Sequence, residues 1–402
     1  MSSSESSLSA RYADVRAQTL ALAAPLSEAD CQVQSMPDAS PTKWHLAHIT
    51  WFFETFVLER FEPGFQPHHP AFRVLFNSYY QGVGEQHPRA ERGLVTRPDL
   101  DAVKAYRADV DARMVALLNG PADVERDTVV ELGLQHEQQH QELLLTDVLH
   151  LLSCNPLAPA YREQLVREAE PALPLAWLPF DGGRVDIGRT GSGFAFDNEG
   201  PRHSHWLQPY ALANRLVTQG EWAEFIAEGG YADARWWLSA AWDWVRTQRI
   251  EAPLYWRRAA AGAWQRFTLA GLQPTAADAP VCHISLYEAD AYAHWRAVRD
   301  GLPLRLPTEA EWEHAAATST ALLQVFDQAW QWTASSYLPH PGFRPWAGAV
   351  GEYNGKFMMN QMVLRGGSCA TPQGHSRASY RNFFPPETRW QFSGLRLARE
   401  WS

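Results

Sequence analysis

The sequence predicts an α+β protein in two parts: a four-helix bundle over residues 1–165 and a domain of short strands and helices over residues 175–402. Two observations carry this reading. Up to about residue 154, apolar residues recur at three- and four-residue spacings over long stretches, the period of a helix with one buried face. Beyond Pro171 and Pro174 the runs shorten, alternate more closely and are broken by Gly, Asn and Pro. Most of the 18 tryptophans also fall in this second part, so the halves differ in composition as well as in period.

The elements follow in order. Residues 8–24 are rich in Ala, Leu and Arg and read as the first helix. Residues 42–60 place Trp44, His48, Trp51, Phe52, Phe56 and Leu58 at mixed helical spacings. Residues 99–118 open with an acidic residue after Pro98, a helix start. Residues 127–152 form the longest pattern, with Leu132, Leu143, Val148 and Leu151 available for burial. Four such helices suggest an up-and-down bundle. Between the second and third lies a connection, residues 61–97, of a length that is usually functional. Asn155-Pro156 ends the fourth helix. In the second part, residues 183–187 and 205–212 read as strands, and 218–228 and 286–298 as helices.

The bulk numbers set limits. At 402 residues the chain can hold two or three cores. A formal net charge of −10 argues against nucleic acid or an anionic membrane as partner. No apolar run approaches the roughly 20 residues of a membrane-spanning helix. Met1-Ser2-Ser3-Ser4-Glu5 lacks the basic and apolar regions of a signal peptide, so the expected location is the cytoplasm. The four cysteines, Cys31, Cys154, Cys282 and Cys369, are scattered and form no C-x-x-C pair.

Chemistry concentrates in His136-Glu137-Gln138-Gln139-His140-Gln141-Glu142. Residues four apart share a helix face, so both imidazoles can point at one metal ion. Upstream, Lys43-Trp44-His45-Leu46-Ala47-His48 offers histidine from a second helix. Two such helices can build a metal site with open positions, which points to a redox or hydrolytic metalloenzyme.

Several stretches carry a resemblance. Val217-Thr218-Gln219-Gly220-Glu221-Trp222, Arg305-Leu306-Pro307-Thr308-Glu309-Ala310-Glu311-Trp312-Glu313, Leu364-Arg365-Gly366-Gly367-Ser368 and Ser393-Gly394-Leu395-Arg396-Leu397-Ala398 resemble the formylglycine-generating-enzyme-like (sulfatase-modifying factor) domain, a C-type-lectin-like α+β fold. The first half resembles a DinB-like four-helix bundle. With Asn77-Ser78-Tyr79-Tyr80 and Tyr380-Arg381-Asn382-Phe383-Phe384-Pro385-Pro386, nearly the whole chain resembles the ergothioneine-biosynthesis sulfoxide synthases and their relatives, the selenoneine synthases.

The resemblance implies an Fe(2+)- and oxygen-dependent enzyme that joins a chalcogen donor to imidazole C2 of hercynine (Nα-trimethylhistidine). It assigns the iron to His48, His136 and His140, and proton donation during the oxygen chemistry to Tyr79 and Tyr80. Gln139 and Asn382 would contact hercynine and Arg89 the donor. Three imidazoles on one face of an octahedral ion leave three positions for reactants. A phenol can deliver a proton that steers oxidation toward carbon–sulfur bonding. One stretch departs from the expected pattern: Gln81, Gly82 and Gln86 stand where Asn, Ala and Arg are expected. Loss of that Arg removes a partner for a donor carboxylate. An uncharged selenosugar such as selenoglucose, held by Gln amides, tolerates the change, so a thiol and a selenosugar both stay open as donor.

Blander readings stand beside these. His136 to His140 also spells H-E-x-x-H, the zinc-peptidase signature with Glu137 as base. A binding protein that kept the fold and lost the chemistry is a further reading. His45 is expected to be a neighbouring helix residue and not a ligand, and Glu142 to support an imidazole by hydrogen bond. Trp330-Gln331-Trp332 is expected in the core, and Cys369 buried and inert.

Overall fold

The computed structural model describes residues 7–165, 170–260, 262–352 and 354–401. The chain divides into two compact units, Met1–Glu163 with Ala347–Tyr353, and Gln164–Trp346 with Asn354–Ser402.

In the first unit α1 is Leu8–Ala23, α2 Glu28–Gln32 and α3 Thr42–Phe53, which runs on through a π-turn at Glu54–Leu58 into α4, Glu59–Phe61. A four-residue α5, Phe72–Leu75, and a 3-10 turn, Arg89–Leu94, punctuate the long connection. Helices α6, Leu100–Leu118, and α7, Val124–Ser153, complete the bundle. Local chemistry sets the starts: Ser7, Asp99 and Asp123 each accept a main-chain N–H of the first turn, satisfying donors the helix leaves unpaired. Helix α3 packs against both α6 and α7. Gly133 of α7 makes that approach possible, because a Cβ there would fall 2.5 Å from the Phe53 ring. The buried stripe of α7 includes Leu132, Leu144, Leu145, Val148, Leu149 and Leu152. Leu143 and Leu151, expected inside, are only half-buried, since the 3.6-residue period turns them away from the seam.

The second unit carries four sheets among the described residues. Its strands are β1 (Trp177–Phe180), β2 (Gly183–Ile187), β3 (His203–Leu207), β4 (Tyr210–Ala213), β5 (Trp256–Arg258), β6 (Trp264–Thr268), β7 (Gly271–Pro274), β8 (Leu304–Arg305), β9 (Trp330–Ser336), β10 (Met362–Arg365), β11 (Asn382–Phe384), β12 (Ser393–Gly394) and β13 (Ala398–Glu400). The two larger sheets have the orders β1-β4-β13-β8 and β11-β10-β9-β12. The unit also holds helices α8 (Gln219–Ala227), α9 (Ser239–Gln248), α10 (Leu286–Asp300) and α11 (Glu309–Thr318), of which α10 and α11 pack on strands of the larger sheets. Three of these open with the same reciprocal cap, Thr218 with Glu221, Ser285 with Glu288 and Thr308 with Glu311. Helices α9 and α11 have no counterpart in the sequence reading: both are short, and α11 hides inside a motif read for its resemblance. Trp222, Trp312, Trp330 and Trp332 fill the interior. Gly366 sits at φ +101°, and a Cβ there would lie 2.4 Å from the Val325 carbonyl, which accounts for glycine in the Arg365-Gly366-Gly367 turn. Cys369 is exposed, not buried, because it follows this turn at the surface.

Candidate metal centre

Helices α3 and α7 bring three histidines together. Ligand atoms of His48, His136 and His140 all lie within 4.8 Å of one another. Their ring centroids are 4.5–5.0 Å apart, with the ring planes steeply inclined, so the imidazoles converge on a point instead of stacking. His48 and His136 are buried, and His140 lies nearest to solvent.

The donor chemistry suits a metal ion. Burial, reinforced by the mutual repulsion of neighbouring imidazoles, holds the His48 and His140 pKa values well below the ordinary histidine value. Burial likewise pulls His136 down to about 3. All three rings are therefore neutral at physiological pH, the form that offers a lone pair. His48 Nδ1 donates to the Phe76 carbonyl at 2.7 Å, which places its lone pair on Nε2. That Nε2 is buried and has no hydrogen-bond partner among the described residues. A ring held from behind with its inner nitrogen bare is the arrangement a metal ligand takes. Three neutral imidazoles suit a divalent first-row metal ion, iron(II) among them, and three ligands leave positions for reactants.

An aromatic wall surrounds the cluster. Trp44 and Trp51 stack against His48 with centroids at 4.5 and 5.5 Å. Phe52 lies 4.9 Å from His136. Tyr80 continues the wall, 5.7 Å from Trp51 and 5.0 Å from Phe56, and Tyr79 stacks on Tyr80 at 4.6 Å. Tyr80 is fully buried and Tyr79 half-buried. Arg92, from the 3-10 turn, lies 3.4 Å over the Trp44 ring. A low-dielectric shell of this kind strengthens charge interactions inside it.

Glu137 does not join the site. It is one residue on from His136, about 100° around the helix, and faces α1. There Arg16 Nη1 and Arg107 Nη2 donate to its two oxygens at 2.9 and 2.6 Å, and Thr19 Oγ1 donates at 2.6 Å. Arg107 and Arg16 hold its carboxyl at about 2 against the opposing effect of burial. A carboxylate held by two guanidiniums and a hydroxyl on the α1 side is turned away from the histidine cluster, so the zinc-peptidase role for Glu137 finds no geometric support. Helix α7 thus uses two i,i+4 pairs on two faces: His136 and His140 toward α3, Glu137 and Gln141 toward α1, where Gln141 Nε2 donates to Thr19 Oγ1 at 3.0 Å.

The other expected site residues are spread more widely. Gln139 is half-buried on α7 between the two histidines, and Glu142 is outside the histidine cluster. Gln81, Gln86 and Arg89 lie exposed on the long connection, and Arg89 donates to the Asp38 carbonyl. Asn77 organises this loop, donating to the carbonyls of Tyr80, Gly84 and Glu85. Asn382 belongs to the second unit, on β11 opposite Leu364 of β10, with its Oδ1 accepting the Phe383 N–H. Sequence reasoning gave His45 no role and passed over Asp147, yet His45 Nδ1 lies 2.8 Å from His140 Nδ1 and His45 Nε2 lies 2.9 Å from Asp147 Oδ2. Helical spacing held the signal: His45 precedes His48 by three residues and Asp147 follows His140 by seven.

Comparison with known proteins agrees with this architecture. Residues 11–144 match the DinB superfamily, and residues 175–327 and 320–401 match the sulfatase-modifying factor enzyme 1-like domain. The hercynine oxygenase of Mycobacterium tuberculosis is 31% identical, over 97% of this chain and 98% of that protein. The hercynine oxygenase of Mycolicibacterium smegmatis is 30% identical over 95% of this chain and 96% of its own length. Ergothioneine biosynthesis protein 1 of Schizosaccharomyces pombe is 25% identical over 51% of this chain and 28% of that protein. With near-complete mutual coverage of the bacterial proteins and the same two domains in the same order, the chain belongs to the hercynine oxygenase family.

Proposed function

We propose that this protein is an iron(II)- and oxygen-dependent enzyme that joins a chalcogen donor to C2 of the imidazole of hercynine. The observation that carries the proposal is the buried, neutral three-histidine cluster of α3 and α7 in a chain of this family. Bound to His48, His136 and His140, iron(II) would supply the electrons that activate oxygen. The protein's own groups have separable tasks. The three imidazoles stay neutral and would hold the ion. Trp44 and Trp51 against His48 and Phe52 against His136 keep water from that side of the cluster. Tyr79 or Tyr80 delivers a proton as the carbon–chalcogen bond forms, which holds the reaction away from oxidation of the donor alone. Gln139 holds hercynine, and Arg89, Gln81 and Gln86 meet the donor.

Two donor readings follow from different observations. The resemblance to ergothioneine-biosynthesis sulfoxide synthases supports a thiol, cysteine or γ-glutamylcysteine, and a carbon–sulfur bond. The loop supports the second. Gln86 is neutral where an Arg is expected, and Arg89 is engaged with the Asp38 carbonyl, which suits an uncharged selenosugar and a carbon–selenium bond. The test is a competition with hercynine, oxygen and iron(II) in which cysteine, γ-glutamylcysteine and selenoglucose are offered together. Exclusive carbon–sulfur product removes the selenosugar reading, and exclusive carbon–selenium product removes the thiol reading. No hercynine-derived product from any donor overturns the proposal.

A further inference from the structure

We infer that His45 and Asp147 form a positioning pair that sets the tautomer of His140, and so decides which of its nitrogens is offered to a metal. The inference rests on the reading of His48, His136 and His140 as a metal site.

The argument follows the protons. Asp147 Oδ2 accepts the Ser40 main-chain N–H at 2.8 Å, so this oxygen is an acceptor. His45 Nε2, 2.9 Å from the same oxygen, must then donate to it. A neutral imidazole that carries its proton on Nε2 has its lone pair on Nδ1. His45 Nδ1 therefore accepts from the nitrogen facing it, His140 Nδ1, at 2.8 Å. His140 is left with a proton on Nδ1 and a lone pair on Nε2. With His45 as a neutral ring each step follows from the one before it, and the chain starts at a carboxylate that α7 itself supplies.

The pair does for His140 what a carbonyl does for His48. The Phe76 oxygen can only accept, so it fixes the His48 tautomer unaided. An imidazole behind an imidazole is ambiguous, because either ring can be the donor. Asp147 removes the ambiguity. His45 and Asp147 are both buried, so water does not supply a competing donor or acceptor. Supporting groups of this kind typically change metal affinity by about 10- to 100-fold when removed.

The experiment uses the full-length protein and iron(II) itself, titrated anaerobically against a competing chelator, with thermal unfolding of the metal-free forms as a control. His45→Phe keeps a ring and removes the acceptor; His45→Asn keeps an oxygen where Nδ1 stood. The expected result is a loss of about 10- to 100-fold in iron affinity for His45→Phe, with most of it restored by His45→Asn. Equal losses in both variants overturn the inference, since a purely steric role makes no distinction between them. A second arm needs no metal: 15N shifts of labelled histidines in the metal-free wild type and in Asp147→Leu. The wild type is expected to show His140 protonated on Nδ1, and Asp147→Leu to show a mixture. A wild-type proton on Nε2 overturns the inference even if His45→Phe does not fold. Failure of the wild type to take up iron, with the Nδ1 proton in place, instead overturns the metal-site reading.

Discussion

Glu137→Gln separates two chemistries that the same five residues can spell. In a zinc peptidase the Glu of H-E-x-x-H is the general base, and its amide would lose turnover while leaving the fold intact. Here the carboxylate sits between Arg16 and Arg107, with Thr19 donating to the oxygen that Arg107 also holds. A Gln of the same shape can place its oxygen on one side only. Its NH2 then faces either Arg16 Nη1 or the Arg107 and Thr19 donors. Arg16 retains Asp111 at 2.6 Å, so the network is weakened and not erased. Leaving a buried charge without its partner costs about 3–5 kcal/mol. For a domain of this size each kcal/mol moves Tm by about 2–4 °C, so the metal-free variant should melt roughly 10 °C lower. Iron binding by the folded fraction should be retained, because Glu137 faces α1 and the histidines face α3. The assays are differential scanning calorimetry of metal-free protein and iron titration below the transition. An unchanged Tm together with abolished turnover would refute the reasoning and restore Glu137 as a base.

Other consequences are equally concrete. Tyr79→Phe or Tyr80→Phe should divert oxygen toward oxidation of the donor, read as the ratio of donor oxidation to hercynine product; an unchanged ratio in the double variant excludes both phenols. Gly133→Ala should destabilise by about 1–3 kcal/mol, because the added methyl meets the Phe53 ring, and should weaken iron binding through the displaced His136 one turn on; matched urea curves for variant and wild type would contradict this. Burial holds His375 at about 3, so the folded protein keeps it neutral while the unfolded chain protonates it below about 6.5. Its contribution to stability is therefore complete above pH 6.5 and falls as pH drops toward 3, by up to about 1.4 kcal/mol per unit. His375→Gln should flatten the pH dependence of unfolding in that window, and an identical slope would show that the ring does not titrate there.

The bundle was legible because long helices repeat their signal: α1, α3, α6 and α7 each present several turns of the same period. The register within them was less legible. Leu143 and Leu151 look as apolar as Leu144 and Leu152, and only the packed neighbours decide which faces inward. The three histidines could be expected to meet from one i,i+4 pair and one distant His. The second layer was legible only in part: His45 and Asp147 share helix faces with ligands at three- and seven-residue spacings, whereas the Phe76 carbonyl is a main-chain group that no side-chain pattern marks. Glu137 shows the converse case. Its place in a known spelling suggested chemistry, and two arginines far away in sequence, Arg16 and Arg107, give it a structural task instead. In the second unit, reciprocal caps at Thr218, Ser285 and Thr308 mark helix starts locally, whereas the order of the sheets is set by strands of two to seven residues that carry little pattern of their own.

The most direct test of the account is iron binding and oxygen uptake in the wild type and His136→Ala side by side. Anaerobically loaded wild type should hold one iron(II) per chain and consume oxygen only when hercynine and a chalcogen donor are both present. His136→Ala should stay folded, bind no iron and consume none. Stoichiometric iron and hercynine-dependent oxygen uptake in His136→Ala would contradict the central claim, as would a wild type that takes up no iron.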